Sequence, residues 1–201
     1  MSKNSLKIMF TDFAYYNRYT KVQMYVPLGI GYIAQYAKQK FGDNIRVSLH
    51  KEINKFFKEV KDDPPDVVGI SLYYWNDAIN KYVVNKLREI LGKKVTIIIG
   101  GPSIDSNLKM QKIFFEKSFP NVDGIVINEG EIAFSNILEK IIDNKAKAFN
   151  EAVDGLSFIK DGEVLTGRPI GTSTDISKLN SPFLSGILDD FLATDYQPLI
   201  Q

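Results

Sequence analysis

The sequence predicts an α/β fold: a doubly wound, Rossmann-like sheet of five parallel strands, followed by a C-terminal β-hairpin and a linker. Three observations carry this reading. Five short runs at 6–10, 45–49, 66–72, 95–99 and 122–127 are rich in Val or Ile and contain no proline. They alternate with stretches whose apolar residues recur at helical spacing. Residues 67–72, 95–99 and 125–127 are almost uniformly apolar, the pattern of strands covered on both faces.

Each intervening helix has its own signals. The first enters with Pro27 in its opening turn, runs to about Lys40 and stops at Gly42. Ile53, Phe56, Phe57 and Val60 mark a short amphipathic helix ended by Pro64 and Pro65. Ile79, Val83, Leu87, Ile90 and Leu91 mark a third, capped by Asn76 or Asp77 and stopped by Gly92. Residues 108–119 and 132–142 supply two more. Five βα units joined by right-handed crossovers give a flavodoxin-like arrangement. After Asn144 the pattern changes, and residues 155–167 read as two strands around an Asp161-Gly162 turn. A weak helix near 184–192 closes a tail with little to bury. The expected units are an α/β domain over 1–145 and a hairpin with linker over 146–201.

Composition narrows the function classes. With 25 basic and 24 acidic residues, the net charge of +1 gives no footprint for nucleic acid. The absence of cysteine removes disulfides, thiolate metal sites and cysteine nucleophiles. The single histidine, His50, argues against a histidine zinc site or a catalytic triad. The polar start lacks the apolar stretch of a signal peptide, and no run approaches the ~20 residues of a membrane span. A cytoplasmic protein without a membrane or nucleic-acid partner is expected.

In such a sheet, ligands bind beyond the carboxyl ends of the strands. Four segments supply that rim: Thr11 to Tyr19, Ser71 to Asn76, Gly100-Gly101-Pro102-Ser103, and Asn128-Glu129-Gly130-Glu131. Each also has a plainer reading. The aromatics of the first segment, and Tyr73, Tyr74 and Trp75 of the second, are equally at home in a core or an interface. Paired glycines let a chain turn sharply as well as let a ligand approach. Glu129 and Glu131 precede a helix, where acidic residues favour the macrodipole. Gly29-Ile-Gly31 lies inside a helix and is no dinucleotide loop, and no phosphate-binding loop occurs. A phosphoacceptor domain would need acidic residues and a lysine where Asp12 stands alone with Ser71 and Asn128. No acid–base pair reads as catalytic.

Taken together, Pro27-Leu-Gly-Ile-Gly-Tyr-Ile-Ala34, Val68-Gly-Ile-Ser-Leu-Tyr-Tyr-Trp-Asn76, Ile98-Ile-Gly-Gly-Pro102 and Asp123-Gly-Ile-Val-Ile-Asn-Glu-Gly-Glu131 resemble one family. It is the cobalamin (B12)-binding N-terminal domain of cobalamin-dependent radical S-adenosylmethionine (SAM) enzymes. The tail Ile176-Ser-Lys-Leu-Asn-Ser-Pro-Phe-Leu-Ser-Gly186 is similar to that family's linker. The resemblance implies that cobalamin is the cofactor of this domain. It also implies a [4Fe-4S] cluster and S-adenosylmethionine in a following radical SAM domain, the expected partner, with a Cys-x3-Cys-x2-Cys loop soon after Gln201. Methyl transfer, rearrangement and ring formation all occur among such enzymes.

The resemblance also assigns residues. Ser71 and Leu72 match a serine turn that contacts the nucleotide tail, with Tyr73 where the family has Leu. Gly100 and Gly101, followed by Pro102, match a pair that lets the tail pass. A bulkier residue at Gly101 is expected to block that channel while the fold survives. Glu129 and Gly130 match a Gly-Glu-Gly-Glu turn whose first glycine is Asn128, which tolerates the same left-handed backbone. A related group carries Asp-x-His-x-x-Gly, whose histidine ligates cobalt. Here Asp12 is present, but Ala14 and Asn17 replace His and Gly. Cobalamin is therefore expected base-off, without a histidine ligand. Phe13, Tyr15 and Tyr16 are expected as the cover beneath cobalt, with Asp12 or water as the other occupant of that position. His50 is expected as an edge or surface residue. The alternative is a cofactor-free module of the same fold that docks substrate or the radical SAM domain.

Overall fold

A computed structural model describes residues 5–13, 26–144, 149–171 and 179–192. Its elements are β1 (Leu6–Thr11), α1 (Leu28–Phe41), β2 (Ile45–His50), α2 (Ile53–Asp62), β3 (Val67–Ser71), α3 (Asp77–Leu91), β4 (Thr96–Gly100), α4 (Leu108–Ile113), β5 (Gly124–Val126), α5 (Gly130–Asn144), β6 (Leu156–Lys160), β7 (Glu163–Thr166) and α6 (Asp189–Leu192). The strands form one seven-stranded sheet in the order β2-β1-β3-β4-β5-β6-β7. The expected five parallel strands are its first five. The hairpin is not a separate appendage: β6 pairs antiparallel with β5, at Ile125↔Ser157 and Val126↔Leu156, and β7 pairs with β6.

Period-two alternation divides the apolar residues between two faces. Ile8, Phe10, Val67, Ile98, Val126 and Leu156 pack with Ile30, Ala34, Ala37, Phe134, Ile137 and Leu138, so α1 and α5 cover one face. Met9, Val68, Ile70, Ile97, Ile99 and Ile125 face Phe56, Val60, Val83, Leu87, Phe115 and Phe119 on the other. Burial on both sides explains why the central runs read as continuous apolar stretches.

Element ends follow local chemistry. Gly42 (φ 53) and Gly92 (φ 58) stop α1 and α3 in left-handed backbone. Asp161 (φ 51) and Gly162 (φ 81) both take positive φ at the hairpin, the geometry that Asp-Gly favours. Pro27 stands just before α1 rather than in its first turn, its carbonyl accepting from the Gly31 N–H at 2.9 Å. Beyond α4 the helical chain continues through one wider turn at Phe114–Ser118. The C-terminal segment departs from expectation. Among its described residues, 179–192, only Asp189–Leu192 is helical, and the segment buries more than its composition suggested. Leu188 is 0% exposed, its Cδ2 seated against α1 where a Cβ on Gly31 would lie 3.0 Å away.

Candidate functional site

Chain order reverses between β1 and β3, which carry the sheet in opposite directions. At this switch a cleft opens under the strand ends, on the α1 and α5 face. Its volume is about 220 Å³. Phe10 and Phe134, with ring centroids 4.7 Å apart, contribute its apolar floor. They have room because β3 carries Gly69 at that level: a Cβ there would fall 2.6 Å from Phe10 Cδ1 and 3.0 Å from Phe134 Cε2. A glycine inside an otherwise branched strand was the signal of this close approach.

The cleft collects six of the expected residues: Ser71, Tyr73, Gly100, Gly101, Glu129 and Gly130. The two glycines at the end of β4 differ. Gly100 lines the cleft, and a Cβ there would make only an ordinary contact, with Val126 Cβ at 3.5 Å. Gly101 has φ 124, and a Cβ there would lie 2.5 Å from the Leu72 carbonyl oxygen and 2.9 Å from its nitrogen. A larger residue at Gly101 therefore strikes the backbone of the β3 exit rather than the channel, which corrects the expectation that such a change leaves the fold intact. Gly130 serves a third purpose, letting the start of α5 approach Ile33 of α1, whose Cδ1 would lie 2.5 Å from a Cβ. Asn128 holds φ 65, the left-handed conformation its type tolerates.

Other expected residues lie elsewhere. Phe13 is 1% exposed in the core on the opposite face, edge-on to Phe56 at 5.5 Å, so it is not a cover at the rim. Leu72 is buried in the same cluster, and only its backbone meets Gly101. Pro102 is exposed and outside the cleft lining. Asp12 turns towards β2, 3.4 Å from the buried Lys51 ammonium. Burial pushes its carboxyl above the ordinary range, and Lys51 pulls it back in part. Tyr15 and Tyr16 lie outside the described residues. His50 sits on an edge strand but not at the surface. At 7% exposure its Nε2 lies 3.1 Å from Ser48 Oγ and 3.2 Å from Glu59 Oε2. Among the described residues, no group of three His, Cys, Asp or Glu side chains is placed to hold a metal ion. No helix among them is long and apolar enough to cross a membrane.

Sequence reasoning did not anticipate the hold on the second rim segment. Asn76 or Asp77 was expected to cap α3; Asn76 takes the cap position, but its side chain makes no capping bond. Its amide turns back to the rim, accepting from the Tyr73 N–H at 2.8 Å and donating to the Ser71 carbonyl at 3.0 Å. Above it the Tyr73 ring stacks on Trp75 at 4.3 Å.

A mixed sheet whose first five strands are parallel and covered on both faces, with a glycine-lined cleft at its switch point, is a doubly wound domain of the kind that holds ligands at its strand ends. Residues 21–138, more than half of the chain, match the B12 binding domain family, and the chain belongs to that family. It is 28% identical over 176 residues to the cobalamin-dependent radical SAM methyltransferase TokK of Streptomyces tokunonensis, covering 85% of this chain and 24% of that protein. It is also 28% identical over 177 residues to the 2-(S-pantetheinyl)-carbapenam-3-carboxylate methyltransferase of Streptantibioticus cattleyicolor, with 85% and 24% covered. A third relative is the cytidylyl-2-hydroxyethylphosphonate methyltransferase of Streptomyces wedmorensis, at 26% over 193 residues, with 79% and 33% covered. The chain thus spans about a quarter to a third of the length of these relatives.

Proposed function

We propose that the chain binds cobalamin base-off, its nucleotide arm seated in the strand-end cleft, as the cofactor domain of a radical SAM methyltransferase. The observation that supports this reading is the space beside Gly100, which a side chain would fill, on a cleft whose floor is apolar. A volume of about 220 Å³ falls short of the ~300 Å³ at which drug-sized pockets begin. It suits one planar arm and leaves the corrin ring to rest on the rim. When bound, cobalamin supplies a cobalt centre able to carry a methyl group. The protein's own part is to seat the arm: Gly100 gives clearance, Phe10 and Phe134 receive a flat apolar group, and the Ser71 residue lies at the wall. The names of the three relatives support methyl transfer as the activity of the whole protein, and the first of them adds radical SAM chemistry; with no cysteine in this chain, the iron–sulfur cluster of such chemistry would be held outside it.

Titration with hydroxocobalamin followed by desalting tests the binding. Retained cofactor is expected, with a base-off optical spectrum and, after reduction to Co(II), paramagnetic resonance lines without nitrogen splitting. His50→Ala is expected to leave that spectrum unchanged. Loss of cobalamin on desalting overturns the assignment in favour of a cofactor-free docking module. Nitrogen splitting overturns the base-off arm.

A further inference from the structure

Asn76 and Asn80 are both 0% exposed, at the start of α3 directly behind the rim. Their side chains form one hydrogen-bonded unit. Asn80 Nδ2 donates to Asn76 Oδ1 at 2.9 Å and to the Ser71 carbonyl at 3.1 Å. Asn76 Nδ2 donates to the same carbonyl at 3.0 Å, and Asn76 Oδ1 also accepts from the Tyr73 N–H at 2.8 Å. Two amides thus converge on one backbone oxygen, and a third contact fixes the peptide two residues on. Between them the Leu72 N–H donates to the Gly100 carbonyl at 2.7 Å, tying the same loop to the neighbouring strand end.

The pair also carries a cost. Asn80 Oδ1 is buried with no hydrogen-bond partner among the described residues, a loss on the order of 1 kcal/mol or more for such a group. An apolar residue would avoid it. What asparagine supplies here is its pair of amide protons, both aimed at the rim loop or at the residue that holds it.

We propose that Asn76 and Asn80 form a buried amide clip of positioning residues, which presets the Ser71–Tyr73–Trp75 rim so that the cleft mouth is formed before the cofactor arrives. The proposal deepens the cobalamin reading and rests on it. A loop fixed in advance spares the binding step the ordering of its residues.

Trp75 is the chain's only tryptophan, and it stacks on the clipped Tyr73. Its fluorescence therefore reports the rim without any cofactor present. The experiment uses the full chain as Asn76→Leu, Asn80→Leu and Asn76→Asp, each checked by circular dichroism. Asn76→Asp is nearly isosteric, keeps the acceptor for Tyr73 and Asn80, and sets an oxygen against the Ser71 carbonyl. It keeps the test open if the leucine variants do not fold. In the cofactor-free protein, acrylamide quenching of Trp75 is expected to rise, more for Asn76→Leu than for Asn80→Leu, in the order of rim bonds lost. Cobalamin affinity is expected to fall in the same order, by roughly tenfold for Asn76→Leu, the scale of one lost hydrogen bond. Recovery of the Asn76→Asp quenching on acidification, as its carboxyl regains a proton to donate, supports the clip further.

Folded variants with wild-type quenching overturn the clip. So does raised quenching with unchanged affinity, because the rim is then not preset for the cofactor. Failure of the wild type to retain cobalamin overturns the cobalamin reading itself, and the quenching series still decides whether the two asparagines order the rim.

Discussion

At the scale of single residues, the two glycines at the end of β4 have separate duties. A Cβ at Gly100 meets Val126 at an ordinary contact distance on the cleft lining, so Gly100→Val is expected to fold with near wild-type thermal stability and to lose cobalamin retention on desalting. Gly101→Ala forces a Cβ into the Leu72 backbone at positive φ, a strain of about 1–3 kcal/mol or more. It is expected to lower the melting temperature whether or not cofactor is present. Calorimetric melts of both variants, set beside desalting, separate the two; equal stability loss in the two variants would refute the division. The pair was legible in the sequence as a place where backbone can come close. Which glycine has room for a side chain and which meets Leu72 was not, because that depends on the crossing of two strand ends about 30 residues apart. Phe13 was misplaced for a related reason: the alternation of β1 continues two residues past its end and carries the ring into the core beside Phe56.

At the scale of elements, a partly buried charge network joins β1, β2 and the end of α2, and its behaviour with pH follows from burial at His50 and from hydrogen-bonded ion pairs at Glu59 and the half-exposed Asp63. Burial lowers the His50 pKa, the Lys7 charge lowers it further, and Glu59 opposes both. Burial raises Glu59, but hydrogen bonds from Lys7 and Ser48 outweigh it and the net shift is downward. Hydrogen bonds from Arg46 and Lys7 bring Asp63 to about 2. Every one of these folded-state values is depressed. Their contributions are therefore present above the unfolded values, about 6.5 for histidine and about 4 for the carboxylates, and are lost as pH falls. Melting temperature is expected to decline below about pH 6.5 in the wild type. His50→Gln should flatten the decline that sets in near about pH 6.5 and leave the steeper loss below about pH 4. A full early decline in His50→Gln would show that another group titrates there. The strands and helices themselves were readable from Val and Ile runs and from Gly and Pro stops, because those signals are local. The docking of the tail was not, because Leu188 finds its seat on a glycine more than 150 residues earlier. Leu188→Ala is expected to cost about 2–5 kcal/mol of local docking. Faster hydrogen exchange confined to 182–192 would register it; unchanged exchange there would count against the seat.

At the scale of the whole molecule, the sheet has seven strands because the hairpin extends it, with Leu156 and Phe158 buried in the α1–α5 core. The cleft opens at the strand ends and shares its floor, Phe10 and Phe134, with a core that is packed mainly between sheet and helices, so cofactor is expected to add stability without being needed for folding. Cobalamin at a hundredfold excess over its dissociation constant should raise unfolding free energy by about 2.7 kcal/mol, measured as a shift in the melting transition. A chain that unfolds without cofactor would contradict this separation.

Helix α1 faces two ways. Gly29, Ile30 and Ile33 line the cleft, while Gly31, between them, receives Leu188. A single helix of 14 residues therefore stands between whatever fills the cleft and the C-terminal segment that carries Leu188. Any displacement of that helix on one side is felt on the other. Thermodynamic linkage makes the traffic reciprocal: if occupancy of the cleft tightens the Leu188 seat by some factor, seating Leu188 tightens the hold on the occupant by the same factor.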